Sequence, residues 1–154
     1  MLIVFLVVEN KTFIYSLKDY PFMAEFMILP PLIFGVLLGL LELYFLSVDE
    51  RGMHWFQHGM HAMPVMFIFT FVSFNIGWVF SMVGFEDNFI FYLGARILVG
   101  LVAMVKIKAA ASITGKGGVG ETWTHVLIIV ALLIAGPYIW EYLLADVVGP
   151  YLPF

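Results

Sequence analysis

Four long apolar runs occupy most of this chain of 154 residues: Phe26–Val48, Pro64–Phe85, Asn88–Val105 and Trp123–Ala145. Each is close to the ~20 residues that an α-helix needs to cross about 30 Å of hydrocarbon. The fold expected is therefore an all-α membrane protein, an antiparallel bundle of four transmembrane helices at residues 26–154. A short N-terminal hairpin or interfacial element is expected at residues 1–25, where β-branched and aromatic residues flank Glu9-Asn10-Lys11. Met1–Val8 lacks a basic leading segment and a small-residue cleavage site, so it does not read as a signal peptide.

Composition agrees with this reading. Hydrophobic residues make up 63% of the chain and charged residues 12%, against about 45–50% and about 25% in soluble domains. Four spans leave no room for a separate soluble domain. A net charge of −4 without a basic block argues against a nucleic-acid partner. The absence of cysteine removes disulfides, thiolate metal sites and thiol nucleophiles. The partners expected are the lipid bilayer and either further copies of this chain or other membrane subunits.

Punctuation between the runs is clear. Lys18-Asp19-Tyr20-Pro21 breaks the chain, and Pro30-Pro31 suits the first turn of a helix, where a missing N–H is harmless. Asp49-Glu50-Arg51-Gly52 ends the first run, Pro64 opens the second, and Gly84–Asn88 turns the chain into the third. Gly136-Pro137 is expected to bend the fourth. The loops after the first and third runs hold Arg51, Lys106, Lys108 and Lys116, against Lys11 and Lys18 on the opposite side. The positive-inside rule then puts loops 49–63 and 106–122 in the cytoplasm and both termini outside.

Small residues mark the packing faces. Gly35 and Gly39 share a helical face with Glu42, and Gly100 and Ala103 share one with Arg96. Thr70, Ser73, Gly77, Ser81 and Gly84 form a stripe on the second run. A charge facing lipid near the bilayer centre costs at least ~2.5–3.5 kcal/mol, so Glu42 and Arg96 should face protein or water. Glu42, Asn75, Arg96 and Glu141 form the expected intramembrane polar network. Depth along the runs pairs Arg96 with Glu141, Arg96 lying roughly 11 Å from the outer end at ~1.5 Å per residue.

The most unusual local sequence is Gly52–Met66. On a helix His54, His58 and His61 fall at i, i+4 and i+7 and share a face. Imidazoles one turn apart can ligate one metal ion. Glu42, Asp49, Glu50 or His125 would complete the shell from the same membrane side. With the nearby thioethers the metal expected is copper; with imidazole and carboxylate alone it is zinc or iron. An interfacial segment without metal is the competing reading.

Gly115–Thr122 resembles the deviant phosphate loop of the cell-division and partition ATPases, matching at Lys116, Gly117, Gly118, Gly120 and Thr122. Glu121 replaces the phosphate-contacting lysine, and the flanking strand and α/β domain are missing, so no nucleotide is expected. No G-x-S-x-G or H-E-x-x-H pattern occurs. The sequence leans away from an enzyme and toward a non-catalytic membrane subunit or scaffold. A small cation, proton or metal transporter is the alternative, and a metal-dependent membrane enzyme the weakest reading.

Overall fold

The computed structural model describes residues 26–49, 55–85, 88–114 and 122–152. The expected N-terminal element at 1–25 lies outside these residues, as does His54. The protein is an all-helical membrane bundle. Its helices are α1 (Leu29–Asp49), α2 (Trp55–Phe74), α3 (Ile76–Met82), α4 (Phe89–Thr114) and α5 (Trp123–Ile139). α5 continues through a π turn at Trp140–Leu144 into the short α6 (Ala145–Val148) and a final 3₁₀ turn at Gly149–Tyr151.

Three stretches are long and apolar enough to cross a membrane: Leu29–Asp49, Phe89–Ala109 and Trp123–Tyr151. α2 and α3, bent by 52° across Asn75, supply a fourth if the pair is one span. Lipid explains why helix is the only regular structure in these segments, since an unsatisfied backbone group in hydrocarbon costs several kcal/mol. Pro30 and Pro31 sit in the first turn of α1, where the Leu32 N–H still reaches the Ile28 carbonyl at 3.2 Å.

Three helices depart from the expected pattern, α4 by running on to Thr114, past Val105 and into the expected loop 106–122. The second begins at Trp55 rather than Pro64, so Pro64 lies inside it, and it ends at Phe74 rather than Phe85. A single proline removes one backbone bond, a smaller loss in lipid than an irregular chain. The last is expected to bend at Gly136-Pro137; α5 runs through Pro137 as helix, and a π turn follows at Trp140–Leu144.

α1 packs chiefly on α2, antiparallel to it. Gly35 lets the two backbones approach: a Cβ there would lie 2.6 Å from Phe67 Cδ1 and 2.9 Å from Thr70 Oγ1. Gly39 meets the Met63 thioether, and Gly59 of α2 in turn faces Leu43. α4 uses the same device on α5, where a Cβ at Gly100 would lie 2.7 Å from Ile134 Cδ1. Met66, Ala103, Val126, Ile129 and Leu133 fill the centre and are buried. Leu37, Leu40, Leu98, Leu101, Val102 and Val105 point outward and are exposed. In water so much apolar surface would drive association; in a bilayer it faces acyl chains.

Candidate functional site

The chemistry of this molecule lies in the few polar groups within its helices. They fall into two clusters, one around Ser73, Asn75 and Arg96, the other around Glu42, Asp49 and His125.

Ser73 is fully buried on α2. Its hydroxyl donates to the Leu133 carbonyl of α5 at 3.0 Å. Leu133 is four residues before Pro137, so its carbonyl is the one that proline deprives of an intrahelical donor. The serine fills that vacancy from another helix. Ser73's own carbonyl lies in the last turn of α2, where the ladder runs out, and it accepts a hydrogen bond from Arg96 Nε at 3.3 Å. The Arg96 guanidinium also lies 4.5 Å from the centroid of the Tyr138 ring. A helix C-terminus is the negative end of the backbone dipole, so the end of α2 and the π face of Tyr138 are the groups that receive this cation.

Asn75 makes the break between α2 and α3. It sits at φ −99°, ψ 11°, outside the helical region. Its Oδ1 accepts from the Met27 N–H at 2.7 Å, and its Nδ2 donates to the carbonyls of Met27 and Phe71, both at 2.9 Å. The side chain thus bonds the backbone just ahead of α1 and adds a second donor to the Phe71 carbonyl, which also accepts from the Asn75 N–H at 3.2 Å. Sequence reasoning placed Asn75 in an intramembrane polar network; in the structure it clamps one chain segment to another. The neighbouring Thr70 donates back to the Met66 carbonyl at 2.7 Å and is buried against α1.

Arg96 and Glu141 are not brought together. Glu141 is exposed on the π turn, and the contacts of Arg96 run to Ser73 and Tyr138. The expectation matched depth alone. It had no information on azimuth, and the π turn rotates Glu141 away from a regular α register.

Glu42 faces inward on α1, only 4% exposed, and its Oε2 has no hydrogen-bond partner among the described residues. Seven residues further along the same face is Asp49. The Asp49 carboxylate accepts from the Thr122 N–H at 2.8 Å and from His125 Nδ1–H at 2.7 Å. That bond fixes the imidazole tautomer and leaves Nε2 as its second polar atom. The His125 ring stacks flat on Phe45, centroids 4.2 Å apart and planes 2° apart. These contacts join the end of α1 to the start of α5. Nearby, Lys108 of α4 sits 4.8 Å from the Trp123 ring centroid.

Of the proposed metal ligands the structure unites Asp49 and His125 and puts Glu42 on their face of α1. His58 and His61 are both on α2; the His61 side chain is exposed, and His54 lies outside the described residues. Among the described residues no three His, Cys, Asp or Glu side chains gather closely enough to hold a metal. An open groove of ≈ 320 Å³ beside this segment is lined by Phe56, Gly59, Met60, Met63, Pro64 and Phe67, and is almost wholly apolar. Sequence reasoning missed the two backbone contacts of Ser73 and the platform role of Tyr138. Pro137 was the available signal for the first, since a proline in a buried helix leaves a carbonyl that needs a donor. The chain matches no family model, no curated protein and no solved structure.

Proposed function

We propose that this protein is a non-catalytic subunit or scaffold of a larger membrane complex. The observation that carries the reading is the use made of Ser73, Asn75 and Arg96: each is bonded to backbone of another helix or chain segment, so the polar groups tie the bundle together. The broad outward apolar faces of α1 and α4 supply surface for neighbouring spans or lipid. The proposed orientation keeps the α1–α2 and α4–α5 ends of the bundle, within the expected 49–63 and 106–122, in the cytoplasm, on the four-to-two bias of basic residues. The contacts of Asp49 with Thr122 and His125 bring the end of α1 and the start of α5 to one end of the bundle.

The test is paired. Glu42→Gln and Arg96→Gln should each alter the size or yield of the assembly extracted in mild detergent, while proteoliposomes of the wild type carry no flux. Flux that disappears in Glu42→Gln with the assembly intact would defeat the scaffold. The second reading is a small cation or proton transporter, favoured by the buried, unpartnered Glu42 carboxyl. A metal at His54, His58 and His61, with Glu42, Asp49 or His125 as further donors, is a separate proposal. Elemental analysis of wild type against the triple His54/His58/His61→Ala variant checks it, with copper, zinc or iron lost from the variant if the site exists.

A further inference from the structure

We propose that Arg96 and Tyr138 bind the phosphate of a membrane lipid, in the leaflet at the end of the bundle where α1 begins. Among the described residues Arg96 forms no ion pair with a carboxylate; its contacts are the Ser73 carbonyl, at 3.3 Å through Nε, and the Tyr138 ring. A guanidinium carries five N–H donors in a planar fork, and Nε accounts for one. The remaining face of the fork has the geometry that receives two oxygens of a phosphate. The Tyr138 ring that lies under the guanidinium also carries a buried hydroxyl with no hydrogen-bond partner among the described residues, a second donor on the same side chain.

The depth fits a headgroup. Ser73 precedes Asn75 by two residues, and Asn75 is bonded to Met27, just ahead of the first turn of α1. Arg96 therefore meets α2 within about a turn of the level where α1 starts. α1 is 21 residues long, or roughly 30 Å at ~1.5 Å per residue, which matches the hydrocarbon thickness. Its start then marks the edge of the acyl region. Aromatic pairs cluster here: Phe26 with Trp78, Phe80 with Tyr92, and Phe89 with Tyr138, centroids 4.7, 5.5 and 6.0 Å apart. Such rings are enriched at headgroup level. Of the anions that suit a guanidinium fork, the one present at this depth of a bilayer is a lipid phosphate.

The experiment uses the whole chain purified in mild detergent. Dioleoyl phosphatidylglycerol, dioleoylglycerol and inorganic phosphate are added separately, bound lipid is counted by native mass spectrometry, and thermal stability is followed in parallel. Phosphatidylglycerol should bind and raise the melting temperature of the wild type, with dioleoylglycerol and inorganic phosphate doing neither to a comparable degree. Arg96→Gln should weaken phosphatidylglycerol binding at least about tenfold, the loss expected for a charged hydrogen-bond pair. Tyr138→Phe, which keeps the ring under Arg96, should weaken it by a smaller factor. Equal protection by dioleoylglycerol would show an acyl-chain contact only and overturn the proposal. Inorganic phosphate acting as well as the lipid would overturn the lipid assignment. Undiminished binding in Arg96→Gln would overturn the site itself. If that variant fails to fold, Tyr138→Phe tests the site in its place, and undiminished binding there would overturn it.

Discussion

Ser73 joins three helices through two of its atoms, its hydroxyl bonded to α5 and its carbonyl to Arg96 of α4. Side-chain hydrogen bonds between membrane helices are worth about 0.6 kcal/mol on average and up to ~1.7, so Ser73→Ala should lower unfolding stability in detergent by an amount in that range. The account ties the effect to Pro137. In Pro137→Ala the new N–H can reach the Leu133 carbonyl from within α5 and compete with the serine. The loss from Ser73→Ala should therefore shrink in the Pro137→Ala background, and a double-mutant cycle measures the difference. Asn75 is the more demanding position. Asn75→Ala strands the Met27 N–H and carbonyl at a site only 3% exposed, while the Phe71 carbonyl keeps its bond from the residue-75 N–H. A loss of ~1–3 kcal/mol is expected, together with proteolysis between α2 and α3 if the clamp is what holds the bend.

Among the elements, two glycine contacts set how closely the helices pack. Gly100→Leu adds a branched side chain where even a Cβ would come within 2.7 Å of Ile134. Overpacking of this kind costs about 1–3 kcal/mol, and a lowered melting temperature with α4–α5 crosslinks lost would show that α4 has moved off α5. Much of this level was legible in the sequence. The apolar runs gave the helices because their lengths match a bilayer, and the glycine stripes gave the faces because side-chain bulk decides which backbones can approach. The break at Asn75 was not legible. It depends on a backbone segment ahead of α1 arriving beside residue 75 to be clamped, and nothing local to the run from Pro64 to Phe85 encodes that arrival. The start of α2 at Trp55 was obscured for a related reason: Gly59 and Pro64 weaken a helix in water, whereas lipid penalises any alternative. Arg96 was expected beside Glu141, yet its contacts run to Ser73 and Tyr138, because residue counts give depth and not rotation about the helix axis.

At the scale of the molecule, the two clusters sit at opposite ends of the bundle. One end is closed by Asn75 and Arg96. The other is closed by Asp49, which ties α1 to the start of α5 through Thr122 and His125. Asp49→Asn keeps an acceptor for the Thr122 N–H but loses the charged bond to His125. It should lower stability by a fraction of what Asp49→Ala does, both followed by thermal unfolding in detergent. Phe45 contributes to the same joint by stacking on the imidazole. Glu42 lies on the Asp49 side of the bundle, buried and with Oε2 unpartnered among the described residues, and it is where a structural scaffold and a transporter make opposite claims. The most direct test of the scaffold is flux in proteoliposomes under proton, sodium and potassium gradients, measured for wild type and Glu42→Gln beside the size of the extracted assembly. The account predicts flux no greater than in protein-free vesicles for both proteins, and an altered assembly in Glu42→Gln. Gradient-driven flux in the wild type that vanishes in Glu42→Gln while the assembly stays unchanged would contradict it.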